Sequence, residues 1–186
     1  VIDRALFYQE NDYKSERRED KAHTVMASFH FGLWEFLPRV YAKIGYSVGV
    51  MVERQRDRAL DRGLTRLRQA RGVILIHRAR DVVERVQGPG VTGFMLDNTS
   101  SGKTTSGVSA DDGVVLEMPK LPFVTGKIAG WGVTPVFGYW SRGRLLIRVF
   151  GRSEEDGCVS ALLKLVKERP AEWIFWGKAG RIRGIG

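Results

Sequence analysis

The chain of 186 residues holds a single cysteine, Cys158, so it closes no internal disulfide, and a reducing compartment is the expectation. Histidine is nearly as scarce: His23, His30 and His77 are the whole supply. Beside one cysteine that is too few for a dedicated zinc site, and no metal is expected. No apolar run approaches the ~20 residues that span a bilayer, and no secretory signal pattern is visible. There is no internal repeat and no clean linker. The chain begins with Val1 rather than Met, and the expectation is one domain over residues 1–186 that lacks an upstream N-terminal membrane segment. Acidic side chains are also in deficit, 21 Asp+Glu against 30 Lys+Arg, which leaves a charge of +9 and a pI near 10.0. That imbalance calls for an acidic partner. Nucleic acid, anionic lipid headgroups and an acidic carrier protein all qualify, and net charge does not choose among them.

What is present is globular: 43% hydrophobic and 27% charged residues, enough apolar surface to offset chain entropy and fill a core without staples. Residues 11–21 form a mixed-charge surface segment. From His23 onward, short apolar segments alternate with helical patterns. Strands are predicted at 24–29, 47–52, 73–77, 91–96, 134–139 and 145–150, the last two joined by a turn at Ser141-Arg142-Gly143. Helices are predicted at 31–44, with a kink or restart at Pro38, and at 58–71, capped by Asp57 and closed by Gly72. Further helices are predicted at 81–86, 123–131 and 160–168. Residues 97–113 read as a long Gly/Ser/Thr-rich loop, longer than usual connections and of the kind that forms functional lids. The alternation predicts an α/β fold: a mainly parallel or mixed central sheet with helices on both faces. Such sheets place their sites at the carboxyl ends of the strands.

That rule singles out three groups. His30 follows the first apolar strand in the string His30-Phe31-Gly32-Leu33-Trp34-Glu35. A carboxylate that takes the Nδ1 proton fixes the imidazole tautomer and leaves Nε2 to act as a base. Five residues on a regular helix do not share a face. His30 is therefore expected before the helix, with Glu35 reaching back and Gly32 allowing the tight turn. Spacing alone favours the plainer alternative, a satisfied histidine at a strand end and a solvated glutamate. Asp97-Asn98 stands at the end of another strand, as a hydroxyl-binding pair or as the start of an Asx-type turn. Arg54, Arg58, Arg62 and Arg66 recur every four residues, opposite Leu60, Leu64 and Leu67. On a helix they form a positive ridge suited to phosphate, or a solvated face. Ser101-Gly102-Lys103-Thr104 is not a phosphate loop, because the pattern needs a glycine where Asp97 stands. Trp173, Phe175 and Trp176 read first as core and second as a membrane-interface belt.

Taken in order, these pieces resemble the late acyltransferases of lipid A biosynthesis, the lauroyl/myristoyl transferases, within the acyltransferases that carry His-x4-Asp/Glu. The string from His30 to Glu35 is similar to the family's His-Phe-Gly-Asn-Trp-Glu, with Leu33 in place of asparagine. Arg54, the stretch 64–72 with Arg68, and Ile76-His77-Arg78 fall where the family carries comparable residues. The stretch 93–98 resembles its strand ending in Asp-Gln, with Asn98 for glutamine, and Pro170-Ala171-Glu172-Trp173 resembles its Pro-Glu-x-Trp. The loop 99–113 and the stretch 177–181 depart from the pattern.

The resemblance implies transfer of a fatty acyl chain from an acyl carrier protein thioester to a hydroxyl of a lipid A precursor. In that reading His30 is the general base, oriented by Glu35. Arg54, Arg68, Arg78, Asp97 and Asn98 are the substrate-binding residues. It implies no cofactor, with acyl carrier protein or coenzyme A carrying the donor. The partners are the carrier protein, a glycolipid acceptor and an anionic membrane surface, at the cytoplasmic face of the inner membrane, held peripherally or by a segment not in this chain. Two other readings are carried: the same chemistry on another glycolipid or lysophospholipid, and a non-catalytic basic module that binds membrane or nucleic acid. Against nucleic acid, no binding motif occurs and the aromatics lie in apolar segments rather than among the arginines.

Overall fold

A computed structural model describes residues 6–9, 23–99, 103–109, 111, 113–130 and 132–174. The mixed-charge run 11–21, the aromatics Trp131, Phe175 and Trp176, and the stretch 177–181 lie outside these residues. Nine strands and five α-helices are present among the described residues. The strands are β1 (Leu6–Gln9), β2 (His23–Ser28), β3 (Val48–Met51), β4 (Val73–Ile76), β5 (Gly90–Met95), β6 (Thr104–Val108), β7 (Val115–Pro119), β8 (Val133–Ser141) and β9 (Arg144–Val149). The helices are α1 (Leu37–Lys43), α2 (Arg58–Arg68), α3 (Ala79–Arg85), α4 (Leu121–Ile128) and α5 (Glu155–Glu168).

Seven strands form one sheet in the order β1-β9-β8-β2-β5-β3-β4. Strands β2, β3, β4, β5 and β8 run parallel, β9 is antiparallel to β8, and β1 runs parallel to β9. This is the mixed α/β sheet that the alternation predicts. Strands β2 and β8 are buried along nearly their whole length because each is covered on both faces. One face packs Phe29, Phe31, Phe94, Phe137, Leu162 and Leu165 into a dense core. The other gathers Met26, Leu37, Val40, Tyr41, Val48 and Val136 beneath α1.

The departures from the predicted elements have local causes. Residues 31–44 are not one helix: Phe31 and Gly32 make β-bridges, Trp34–Phe36 is a single 3₁₀ turn, and α1 restarts with Pro38 in its first turn, where its missing N–H costs nothing. The loop at 97–113 contains β6, which pairs antiparallel with β7 as a separate two-stranded sheet. That hairpin leans on the start of α5, where Thr105 Oγ1 donates to Glu155 and the Val108 N–H donates to Asp156. Tertiary contact thus overrides a polar, turn-rich composition. Helix α5 begins five residues before its predicted start, at Glu155. Strands β8 and β9 turn at Arg142-Gly143, both with positive φ, the backbone a two-residue hairpin requires.

Candidate active site

The parallel register of β2 and β5 builds the centre of the site. Ser28 stands opposite Met95, and the Leu96 N–H donates to the Ser28 carbonyl at 2.8 Å. Two residues past the last paired position, His30 and Asp97 emerge side by side. The Asp97 carboxylate accepts from His30 Nδ1 at 2.6 Å and from the His30 backbone N–H at 2.8 Å. A third donor, Trp173 Nε1, reaches its Oδ2 at 3.1 Å. Asp97 is only 5% exposed, and a buried carboxylate stays tolerable only when donors surround it.

The His30 segment is held from both sides. Gly32 donates to the Glu172 carbonyl and Leu33 to that of Gly138, while Ile174 donates to the His30 carbonyl. Gly32 has a φ of 57°, and a Cβ there would overlap the Gly138 carbonyl oxygen. Only glycine combines that left-handed backbone with so close an approach. The Arg169 guanidinium packs over the Tyr139 ring at 4.6 Å and donates to the Trp140 carbonyl and to Glu172. It thereby ties the 3₁₀ turn Pro170–Glu172, and with it Trp173, to β8. The Trp34 ring meets the His30 imidazole edge-on at 5.0 Å.

Glu35 does not take the place expected of it beside His30. The turn at Gly32 and the 3₁₀ geometry carry its side chain toward α2, where Arg68 binds it through two parallel bonds of 2.8 and 2.6 Å. That hydrogen bonding holds the Arg68 guanidinium above its ordinary pKa. The carboxylate that meets His30 Nδ1 is that of Asp97, sixty-seven residues away. Both residues stood out in the sequence; the signal that pairs them is that each directly follows a parallel strand, and the strands are neighbours. Trp173 is the partner that sequence reasoning missed, having been read as core.

His30, Glu35, Arg68 and Asn98 line one pocket, whose walls continue through Met26, Leu37, Tyr41, Val48, Val91 and Val136. Its volume of about 220 Å³ far exceeds the ~10–15 Å³ that admits a single water. Asn98 donates to Glu53 at 3.2 Å on the rim. Arg54 and Arg78 are exposed and line a separate surface recess with His77 and Glu53. The structure therefore brings His30, Asp97, Glu35, Arg68 and Asn98 together and leaves Arg54 and Arg78 beyond the pocket. Among the described residues, no cluster of His, Cys, Asp and Glu suits a metal ion.

An imidazole aligned by a buried carboxylate, at the mouth of an apolar pocket on a mostly parallel sheet, is equipment for moving a proton beside a long apolar substrate. Such an arrangement is chemically suited to transferases and hydrolases that act on apolar chains. The model of the bacterial lipid A biosynthesis acyltransferase family matches residues 1–108. The chain belongs to that family: it is an enzyme that transfers acyl groups in lipid A biosynthesis. Comparison with curated proteins finds no match. Lipid A acyltransferases are membrane-associated, and among the described residues no helix is long and apolar enough to cross a membrane.

Proposed function

We propose that the enzyme carries a fatty acyl chain from an acyl carrier protein thioester to a hydroxyl of a glycolipid precursor of lipid A, at the cytoplasmic face of the inner membrane. The observation that carries this reading is the His30–Asp97 pair at the mouth of the apolar pocket. Asp97 accepts the Nδ1 proton, which assigns proton transfer to Nε2. His30 Nε2 removes the acceptor's hydroxyl proton as the oxygen attacks the thioester carbonyl carbon. The tetrahedral intermediate then collapses, the C–S bond breaks, and the departing thiolate takes the proton from His30. An ester and a free thiol result, with no covalent enzyme intermediate and no cofactor.

The acyl chain fits the pocket beneath α1, since burying each methylene there is favourable by about 0.8 kcal/mol. Arg68 stands at the mouth with Glu35, where a guanidinium pre-aligned by a carboxylate suits an acceptor phosphate. Arg54 and Arg78 offer further cationic contacts from the recess beyond the pocket to the acceptor or the acidic carrier, and Asn98 offers an amide to the acceptor's sugar hydroxyls.

The test is transfer from acyl-carrier-protein donors to a lipid A precursor, followed by mass spectrometry of the lipid products. General-base catalysis contributes about 10²–10⁴-fold, and His30→Ala is expected to lose that much turnover with its fold intact. Asp97→Asn should fall in the same range. A rate unchanged in His30→Ala would refute the assignment.

A further inference from the structure

Helix α2 is anomalous in this fold. It joins β3 to β4 but buries none of its residues. Its inward side is the polar set Asp61, Thr65 and Arg68 with Leu64, all half-buried. Leu60 and Leu67 continue the Leu64 stripe outward at 52% and 38% exposure. Arg58, Arg62 and Arg66 are exposed on the opposite side of the helix. The nearby acids are already engaged: Asp57 caps the helix by accepting from Ala59 and Leu60, and Asp61 accepts from the Gln55 N–H. Arg54, Arg56 and Arg71, all exposed, flank the helix.

An ordinary surface helix turns its leucines into the core. This one is docked by a polar side, through the Arg68–Glu35 pair, and leaves two leucines in solvent among six exposed arginines. A strongly amphipathic, arginine-rich helix with low overall hydrophobicity is the form that lies in a membrane interface. We propose that α2 is an in-plane anchor for a bilayer leaflet rich in anionic headgroups. Leu60 and Leu67 enter the acyl boundary, and the arginines meet the phosphates. The leucines favour this occupant over an acidic protein, which would need the arginines alone. Because α2 ends on Arg68 in the pocket wall, the anchored face and the pocket mouth are continuous. An acceptor lipid would then reach His30 without leaving the leaflet; this last step alone rests on the acyl-transfer reading.

The experiment is co-sedimentation of the protein with vesicles of phosphatidylcholine alone and of phosphatidylcholine mixed with phosphatidylglycerol. Binding is expected on the anionic vesicles and should weaken steeply with added salt. Leu60→Ser with Leu67→Ser should weaken it roughly tenfold or more, the area of two leucines removed from lipid. Arg58→Ser, Arg62→Ser and Arg66→Ser together should do the same. None of these positions is buried, so circular dichroism should show the fold unchanged. Transfer to an acceptor dispersed in detergent should persist in both variants, which separates the anchor from the chemistry. Vesicle binding that is absent in the parent, or that survives loss of the leucines, would overturn the anchor whatever the transfer assay shows. So would a leucine variant that loses only capture of the acidic carrier protein.

Discussion

The two faces of the sheet are built to different ends. On one, α3, α4 and α5 press Phe29, Phe31, Phe137, Phe150, Leu162 and Leu165 together; Phe31 and Phe150 meet Phe137 edge-on at 5.6 Å each. On the other, α1 covers a smaller set, and six of its core members (Met26, Leu37, Tyr41, Val48, Val91 and Val136) are pocket wall. Rings that interlock leave no space for a ligand. Aliphatic side chains under one short helix, beside a helix that buries nothing, leave a cavity. Stability is concentrated on the first face and substrate space chiefly on the second, although Ala27 and Phe94 of the first cluster also line the pocket. His30 and Asp97 stand on the boundary, at the strand ends where both faces meet.

Truncation should expose that division most plainly. Leu162 is fully buried in the packed face, and Leu162→Ala should destabilise the protein by about 2–5 kcal/mol, the loss of burial plus the cavity left behind. Val50 is half-buried on the pocket wall, and Val50→Ala should cost about 1 kcal/mol. Urea denaturation of the two variants reads the contrast directly. Equal losses would mean that the pocket face carries as much of the stability as the packed one.

A subtler effect comes from filling the hollow face. Val91, Gly93 and Met95 alternate along β5 and all three line the pocket. A Cβ at Gly93 would meet nothing closer than the Gly49 carbonyl at 3.8 Å. Gly93→Val should therefore fold normally and shorten the pocket. Because one methylene in an apolar site is worth about 1–3 kcal/mol, preference among acyl donors should move toward shorter chains by about tenfold or more. An unchanged profile across donor lengths would place the acyl chain elsewhere.

This division was only partly legible in the sequence. The strands of the parallel core could be read, because 24–29, 73–77 and 91–96 are short apolar runs set off by glycines and charges. Strand β1 and the β6–β7 hairpin could not. Thr104-Thr105-Ser106-Gly107 has the composition of a loop, and its strand exists only through pairing with β7 and support from α5. The site was legible as residues but not as pairs. His30 and Asp97 were both visible at strand ends, yet strand order, which no local pattern encodes, makes them neighbours. The resemblance implies Glu35 as the partner of His30, and the turn at Gly32 sends its side chain to Arg68 instead. Asp57 as the cap of α2 was read correctly because capping is local: its carboxylate accepts from Ala59 and Leu60.

The smallest expected effect tests whether the packed face also sets the acid response. His23 opens β2 at 4% exposure. Its Nδ1 lies 2.8 Å from the Gly88 carbonyl, an acceptor only, so Nδ1 carries the proton and Nε2 accepts from the Thr92 hydroxyl at 2.9 Å. Burial lowers its pKa below the ordinary 6.5; the bond to Gly88 works against that, and the Arg85 charge adds to it. The unfolded chain therefore takes up this proton first as pH falls. Above about pH 6.5 both states are neutral and His23 contributes no pH dependence. Below it, protonation of the unfolded state draws the equilibrium toward unfolding until the native pKa is reached. Melting temperatures measured from pH 8 down to pH 5 should decline below about pH 6.5. His23→Gln keeps an amide donor for Gly88 but cannot titrate, and it should remove part of that decline. If the decline is identical in His23→Gln, the acid sensitivity belongs to other groups and the packed face has no part in it.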